Sequence, residues 1–262
     1  MNANALLQQF SEQQVAGFML VIARIAPLFL VAPMFSSKMI PGRVRGLAAV
    51  GLAVGMAPMA TKGQRVPIDV MGLGALAVKE LVVGLAFALA ISVLFAAITA
   101  AGSLMDTLIG FSFGALVDPI SGNSASVISQ AYSLVGVAIF IAINGDAWVI
   151  QGLNRTYELV PLLDYPAIGS MVAGVQHAFT GIFVAALELA APVMIAVIIT
   201  DAAFGVVARV VPQLNVFAVG FPAKVTVGLL VLGVSLPFAA GWISDQLQDS
   251  VAAALHALKV SG

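Results

Sequence analysis

Two apolar runs limit what this chain can fold into. Residues 70–105 are interrupted only by Lys79 and Glu80, and residues 167–211 form a longer run. A helix crosses a bilayer with about 20 apolar residues, and both runs exceed that length. Such runs predict long helices that are buried in lipid or in protein.

The composition supports a membrane protein. Of the 262 residues 61% are hydrophobic and 9% are charged, and the mean hydropathy is +1.09, whereas soluble domains carry about 25% charged residues. The net charge of -1 argues against nucleic acid as a partner. There are no cysteines, and the two histidines, His177 and His256, lie far apart. We therefore expect neither a metal site nor a cofactor.

Six segments are apolar enough to be interpreted as membrane crossings. They are residues 15–35, 46–60, 70–105, 127–150, 167–211 and 225–243. The loops 36–45 and 209–224 carry basic residues, so the positive-inside rule places both on the cytoplasmic side. The loop 144–166, with three acids and one arginine, would face the other side.

Prolines predict where the helices end. We expect Pro27 and Pro33 to interrupt the first apolar segment, because proline removes a helix hydrogen bond. Pro212 and Asn215 favour a turn, and Pro222 should limit the start of the next helix.

The C-terminal tail, residues 244–262, starts with acidic residues and then becomes amphipathic. Its apolar side chains recur at helical spacing, at Leu247, Val251, Leu255 and Leu258. This pattern predicts a helix that lies on a surface or docks on a partner.

Charges inside the apolar runs are informative, because a charge at the bilayer centre costs roughly 2.5–3.5 kcal/mol or more. The basic and acidic residues balance: Arg24, Lys79, Arg209 and Lys224 against Glu80, Asp106, Glu188 and Asp201. This balance favours pairing across helices or between subunits, and a proton or ion relay is the alternative. Arg24 should face protein or water. Lys79 and Glu80 point to different helix faces, so we expect them to seek separate partners or to mark a membrane boundary, not to pair with each other.

Residues 102–119 combine features that a plain membrane span does not need. An aromatic pair is framed by glycines, at Gly110, Phe111, Phe113 and Gly114, and is flanked by Asp106, Asp118 and Pro119. Glycine allows unusual backbone conformations, and irregular backbone at membrane depth requires surrounding protein or a water-filled cavity. The stretch predicts a constriction or plug in a pathway; the alternative is a helix contact of the GxxxG type. Asp118 precedes a proline and should end any helix.

The sequence contains no enzyme signature of the usual kinds. No GxSxG, HExxH, P-loop or dinucleotide fingerprint is present. Ser112 lies between two phenylalanines with no histidine nearby in the sequence. We therefore expect that the chain is not an enzyme.

A short internal echo keeps a second class of function open. Residues 23–27 read ARIAP, and residues 208–212 read ARVVP. If the echo is real, it indicates two related helical hairpins, a feature of secondary transporters with broken helices and intramembrane charges. Such a transporter would work alone or as a homo-oligomer.

Four stretches resemble the FliR family, the flagellar biosynthesis proteins of the type III export gate, and their counterparts in virulence-type secretion systems. They are residues 24–27 with 40–45, residues 79–84, residues 110–119, and residues 209–217 with Gly220, Pro222 and Lys224. The last stretch is the most specific, and the order and spacing are similar over nearly the whole chain. The flagellar branch is favoured over the injectisome branch.

The resemblance implies an all-α fold of long, broken and tilted helical hairpins. Residues 1–166 would form a FliP-like part, 167–243 a FliQ-like hairpin and 244–262 the tail of one export-gate domain. The family's helices lie largely above the inner-membrane plane, which opposes the six-crossing topology.

The resemblance also implies partners. A FliR-like protein is a single-copy subunit that joins FliP-like and FliQ-like subunits around a narrow channel in the bacterial inner membrane, at the flagellar basal body. FlhB-like and FlhA-like subunits and membrane lipid are further expected partners. Unfolded flagellar proteins would be the substrates.

Two local roles follow from the same resemblance. The family's plug loop corresponds to residues 110–114, with Phe111 and Phe113 as the obstructing side chains. The turn that contains Pro212, Gln213, Asn215 and Phe217 would face the cytoplasm and contact the FlhB-type switch subunit.

Overall fold

The computed structural model describes residues 11–36, 40–111, 126–213 and 215–258. These residues form eight helices and no strands, which confirms the all-α class. The helices are α1 Glu12–Val31, α2 Gly42–Ala60, α3 Val70–Ile109, α4 Val127–Ala142, α5 Gly145–Leu159, α6 Ile168–Val210, α7 Val216–Val234 and α8 Leu236–Ala257.

The two longest apolar runs are each one continuous helix. The 40 residues of α3 and the 43 residues of α6 both exceed a single perpendicular crossing. Pro192 lies inside α6 without ending it. The remaining apolar runs are divided differently from the prediction.

The predicted segment 127–150 is broken after α4. Asn144 adopts a positive φ of 55° between α4 and α5, a conformation that asparagine tolerates better than most residues. Helix α5 then continues to Leu159, so most of the predicted loop 144–166 is helical.

The predicted segment 225–243 is also wrong in both bounds. Helix α7 begins at Val216, ahead of Pro222, because Asn215 caps it by accepting a hydrogen bond from the Ala218 N–H at 3.1 Å. The chain bends by 53° where α7 meets α8. Pro237 lies in the first turn of α8, where its missing N–H removes no helix hydrogen bond.

The first helix is not interrupted as predicted. Pro27 lies within α1, which continues to Val31, and Pro33 follows its end. Leu20, Ile25 and Leu28 on the same helix are fully buried. Packing of this face holds the helix together across the one hydrogen bond that proline removes.

The count of six crossings is wrong for the described residues. Three helices, α1, α3 and α6, are long and apolar enough to cross a membrane, or up to five spans if the bent pairs α4–α5 and α7–α8 each count as one. Helix α2 is not among them, because it opens with Arg43 and Arg45, which were predicted to lie in the preceding loop.

The chain divides into two compact units. The first comprises Met1–Val93, Asp146–Phe179 and Leu247–Gly262, and the second comprises Leu94–Gly145 and Thr180–Gln246. A buried cluster of Val83, Val160, Met171 and Leu258 belongs to the first unit. In the second unit the rings of Phe95 and Phe140 pack with their centroids 5.3 Å apart.

The amphipathic character of the tail is confirmed as far as Leu258. Leu247, Val251 and Leu258 are buried, whereas Gln248 and Asp249 are exposed. The tail is the second half of α8, so the helix starts well before the predicted boundary at 244.

Candidate functional site

A buried arginine lies at the centre of the first unit. The side chain of Arg24, on α1, is 0% exposed and binds the carboxylate of Glu80, on α3, through Nε and Nη2, the latter at 2.9 Å from Oε1. Its Nη1 donates to Thr156 Oγ1 at 3.2 Å, and Nη2 also donates to the Val160 carbonyl oxygen at 2.8 Å. The guanidinium is therefore bound from three elements of the chain.

An aromatic ring covers the same guanidinium. Arg24 Cζ lies 4.2 Å from the ring centroid of Tyr157, within the range of a cation–π interaction. The Tyr157 hydroxyl donates to the Val21 carbonyl oxygen at 3.2 Å. This bond returns to α1 one turn before Arg24, so the ring is fixed in place.

Lys79 is a second buried cation beside Glu80. Its Nζ lies 2.6 Å from Glu80 Oε1, so the prediction that the two residues do not pair is wrong. It also donates to the carbonyl oxygens of Pro161, Leu162 and Asp164 at 3.3, 2.8 and 3.0 Å. The separate partners expected for the two side chains are present as well, because the Glu80 carboxylate bridges Lys79 and Arg24.

We call Arg24, Lys79 and Glu80 the ion cluster. It contains two cations and one anion, and carbonyl oxygens of the α5–α6 connector surround the excess positive charge. Its charged groups are satisfied by protein partners, which favours the pairing interpretation over a relay. The cluster ties α1, α3 and this connector together.

Gly84 explains why α1 and α3 approach so closely at the cluster. A Cβ atom at this position would overlap the carbonyl oxygen of Arg24. Two side chains of the cluster, Lys79 and Glu80, and the glycine that admits the facing backbone thus lie in the stretch 79–84, one of the four stretches that carry the family resemblance.

The second unit contains a close junction between α3 and α4. Asp106 is 1% exposed, and its Oδ1 accepts a hydrogen bond from the Ile128 N–H at 3.1 Å. Ser129 Oγ donates to the Thr99 carbonyl oxygen at 2.9 Å. A Cβ at Gly102 would overlap Ser129 Cα. We call these five residues the α3–α4 junction.

The proposed plug begins at the end of α3. Gly110 has a φ of +103°, which glycine adopts at little cost. The N–H groups of Gly110 and Phe111 both donate to the Asp106 carbonyl oxygen, at 3.0 and 3.1 Å. The Phe111 side chain is 37% exposed. The other predicted plug residues lie outside the described residues: Phe113, Gly114, Asp118 and Pro119.

The charges on α6 and α7 are not buried within this chain. Glu188, Asp201 and Arg209 are exposed, because α6 packs only part of its surface: 33% of its most apolar window is buried. Asp201 binds Lys224 Nζ at 2.7 Å across α6 and α7.

Glu188 has a partner on α8. Its Oε2 accepts a hydrogen bond from Trp242 Nε1 at 3.2 Å. The expected contacts between helices are thus present for Glu188 and for the Asp201–Lys224 pair, and burial of these side chains between subunits stays a prediction.

The predicted contact loop is a turn between α6 and α7. Pro212 and Gln213 are exposed, and Asn215 caps α7. The side chain of Phe217 lies outside the described part of the chain.

Several residues that contact the ion cluster were not predicted from the sequence. Thr156 and Tyr157 lie in a stretch that was interpreted as a loop, and the carbonyl oxygens of the α5–α6 connector belong to backbone. The one sequence signal was that the stretch 151–166 is the most polar internal part of the chain.

Comparison with known proteins gives a consistent result. The profile of the family described as "Bacterial export proteins, family 1" matches residues 15–250. The flagellar biosynthetic protein FliR of Pectobacterium carotovorum subsp. carotovorum is 30% identical over 85% of each chain. FliR of Bacillus subtilis (strain 168) is 31% identical over 82% of this chain and 84% of its own. The surface presentation of antigens protein SpaR of Shigella flexneri is 25% identical over 81% and 82%.

Proposed function

The chain belongs to the family of bacterial export proteins, family 1, and from this we propose that it is a subunit of a type III protein export gate of the flagellar branch. This proposal rests on the match of the family profile to residues 15–250. The flagellar branch is supported by relatives named flagellar biosynthetic protein that are about as long as this chain.

We further propose that this chain joins FliP-like and FliQ-like subunits in the bacterial inner membrane. Export of unfolded flagellar proteins would then pass through the shared channel. The surface of α6 supports this role, because it exposes large apolar side chains, including Phe179, Phe183 and Ile199, beside the charged Glu188 and Asp201. A lipid-facing helix would not carry exposed carboxylates, so protein neighbours fit this surface better.

The plug proposal centres on Phe111 and Phe113. Phenylalanine rings close a narrow pore by packing and by excluding water. The described part of this stretch supports the proposal, because Phe111 is exposed directly after a glycine turn at the end of α3. The exposed turn at Pro212 and Gln213 is the proposed contact with an FlhB-like subunit, and an FlhA-like subunit is a further proposed partner.

The function is tested by native mass spectrometry. The tagged chain is co-expressed with its FliP-like and FliQ-like neighbours and purified in mild detergent. We expect one copy of this chain in a large hetero-complex. A monomer or homodimer without those neighbours would contradict the proposal and favour a secondary transporter.

The plug is tested by conductance of the assembled complex. The double variant Phe111→Ala/Phe113→Ala removes both rings and should leak ions through the closed gate. Phe238→Ala, an exposed phenylalanine on α8, is the matched control and should stay closed. Equal conductance of the double variant and the unmodified complex would reject the plug.

A further inference from the structure

We propose that Asp106 is a positioning residue for the gate: it holds Phe111 at a fixed place relative to α4 and so sets the closed position of the plug. This inference rests on the proposed function. It is carried by the α3–α4 junction, whose members all lie in the second unit.

Asp106 acts through two different groups. Its backbone carbonyl oxygen accepts the N–H groups of Gly110 and Phe111, at 3.0 and 3.1 Å. Its side-chain Oδ1 accepts the Ile128 N–H of α4 at 3.1 Å. One residue therefore connects the backbone that precedes the plug with the helix that follows it.

The Asp106 carboxylate contacts the N-terminus of α4, the end of a helix that binds negative charge. Ile128 is the second residue of α4, and the first N–H groups of a helix have no partner within it. The helix dipole favours an anion at this end. The Ser126 hydroxyl accepts the Ser129 N–H, so Asp106 and Ser126 each accept one of these donors. Because Asp106 is 1% exposed, water does not compete for this bond.

A second hydrogen bond and a close backbone approach stiffen the junction. Ser129 Oγ donates to the Thr99 carbonyl oxygen, and Gly102 admits the backbone of Ser129. Phe111 at the end of α3 and Ser126 at the start of α4 are therefore held at fixed positions relative to each other. Without the carboxylate, the end of α3 loses its hydrogen bond to the Ile128 N–H at the start of α4.

The test compares Asp106→Ala with Asp106→Asn in the assembled hetero-complex. Removing one buried hydrogen bond of this kind should raise the ion leak of the closed gate about tenfold. Asparagine retains an oxygen that can accept the Ile128 N–H, so Asp106→Asn should stay near the unmodified leak. Ser103→Ala is the control, because the Ser103 hydroxyl also donates to the Thr99 carbonyl oxygen but from its own helix.

A disulfide between α3 and α4 tests whether the ion leak of Asp106→Ala comes from a change in the relative position of the two helices and not from lower stability alone. The hydroxyl oxygens of Thr99 and Ser133 lie 3.1 Å apart across α3 and α4, and the chain has no cysteine of its own. Thr99→Cys/Ser133→Cys is introduced together with Asp106→Ala. Diamide accepts two electrons and two protons as the thiols form a disulfide, and this should return the leak to background. Dithiothreitol should restore the leak.

The ion leaks of these variants distinguish the proposed role of Asp106 from the proposed plug. If Phe111→Ala/Phe113→Ala leaks but Asp106→Ala does not, the role of Asp106 is rejected and the plug remains. If neither leaks, both are rejected. A leak that oxidation leaves unchanged, or an equal leak in Asp106→Asn, also overturns the role of Asp106. If Asp106→Ala does not assemble, Asp106→Leu removes the acceptor but fills the same buried space, and a background leak there would reject the inference.

Discussion

At the scale of single residues, the ion cluster explains how an apolar helix accommodates an arginine. The guanidinium of Arg24 makes a bidentate bond to Glu80 and further contacts to a hydroxyl, a carbonyl and an aromatic ring. Charge-assisted bidentate bonds are the strongest of these contacts. Because each partner satisfies another buried polar group, removing one of them takes a hydrogen-bond partner from each group that it contacts.

Arg24→Leu is therefore expected to destabilise the chain by about 1.5–3 kcal/mol, because Glu80 loses its charge-assisted bidentate bond while Lys79 still pairs with it. Arg24→Lys should also be unstable, because an ammonium cannot bind both carboxylate oxygens in the same plane. The measurement is the free energy of unfolding in detergent. Arg155→Leu, an exposed arginine of the same unit, is the control and should change this free energy little.

The double variant Arg24→Leu/Glu80→Leu decides whether the two residues act as a pair. It should lose clearly less stability than the sum of Arg24→Leu and Glu80→Leu. Lys79 keeps its three carbonyl acceptors in the double variant. Additive losses would contradict the pairing.

At the scale of helices, the sequence predicted which segments are helical better than where they end. The runs at α3 and α6 were recognised from their length. The predicted interruption at Pro27 and the predicted start after Pro222 were wrong, because burial of one face and a cap at Asn215 outweigh one missing hydrogen bond. A proline lowers helix stability locally, whereas packing acts on the whole element.

The approach of α1 to α3 makes a prediction at this scale. Gly84→Ala places a Cβ against the Arg24 carbonyl oxygen, and separating the helices should cost about 1–3 kcal/mol. Gly74→Ala is the same change in the same helix with nothing within 4 Å, and should be neutral or stabilise by about 0.5–1 kcal/mol. Thermal unfolding in detergent measures both variants, and equal midpoints would show that the close approach is unimportant.

At the scale of the whole molecule, the surface favours assembly over transport by a single chain. The echo between residues 23–27 and 208–212 does not correspond to equivalent positions, because Arg24 is buried inside α1 and Arg209 is exposed in the last turn of α6. A transporter would need intramembrane charges that a substrate can reach, whereas the ion cluster is enclosed by protein. The exposed apolar and charged side chains of α6 are available to neighbouring subunits.

Hydropathy and local sequence alone determined the all-α class, the membrane character and the family resemblance, because run length, composition and short motifs are read directly along the chain. They also indicated that Arg24 must face protein. The tertiary structure decided which groups meet: Glu80 is 56 positions from Arg24, and the Val160 carbonyl is 136 positions away. It likewise placed Lys79 against Glu80 and left Glu188 and Asp201 exposed. Such pairings depend on how helices pack across the fold, and no local pattern encodes that geometry.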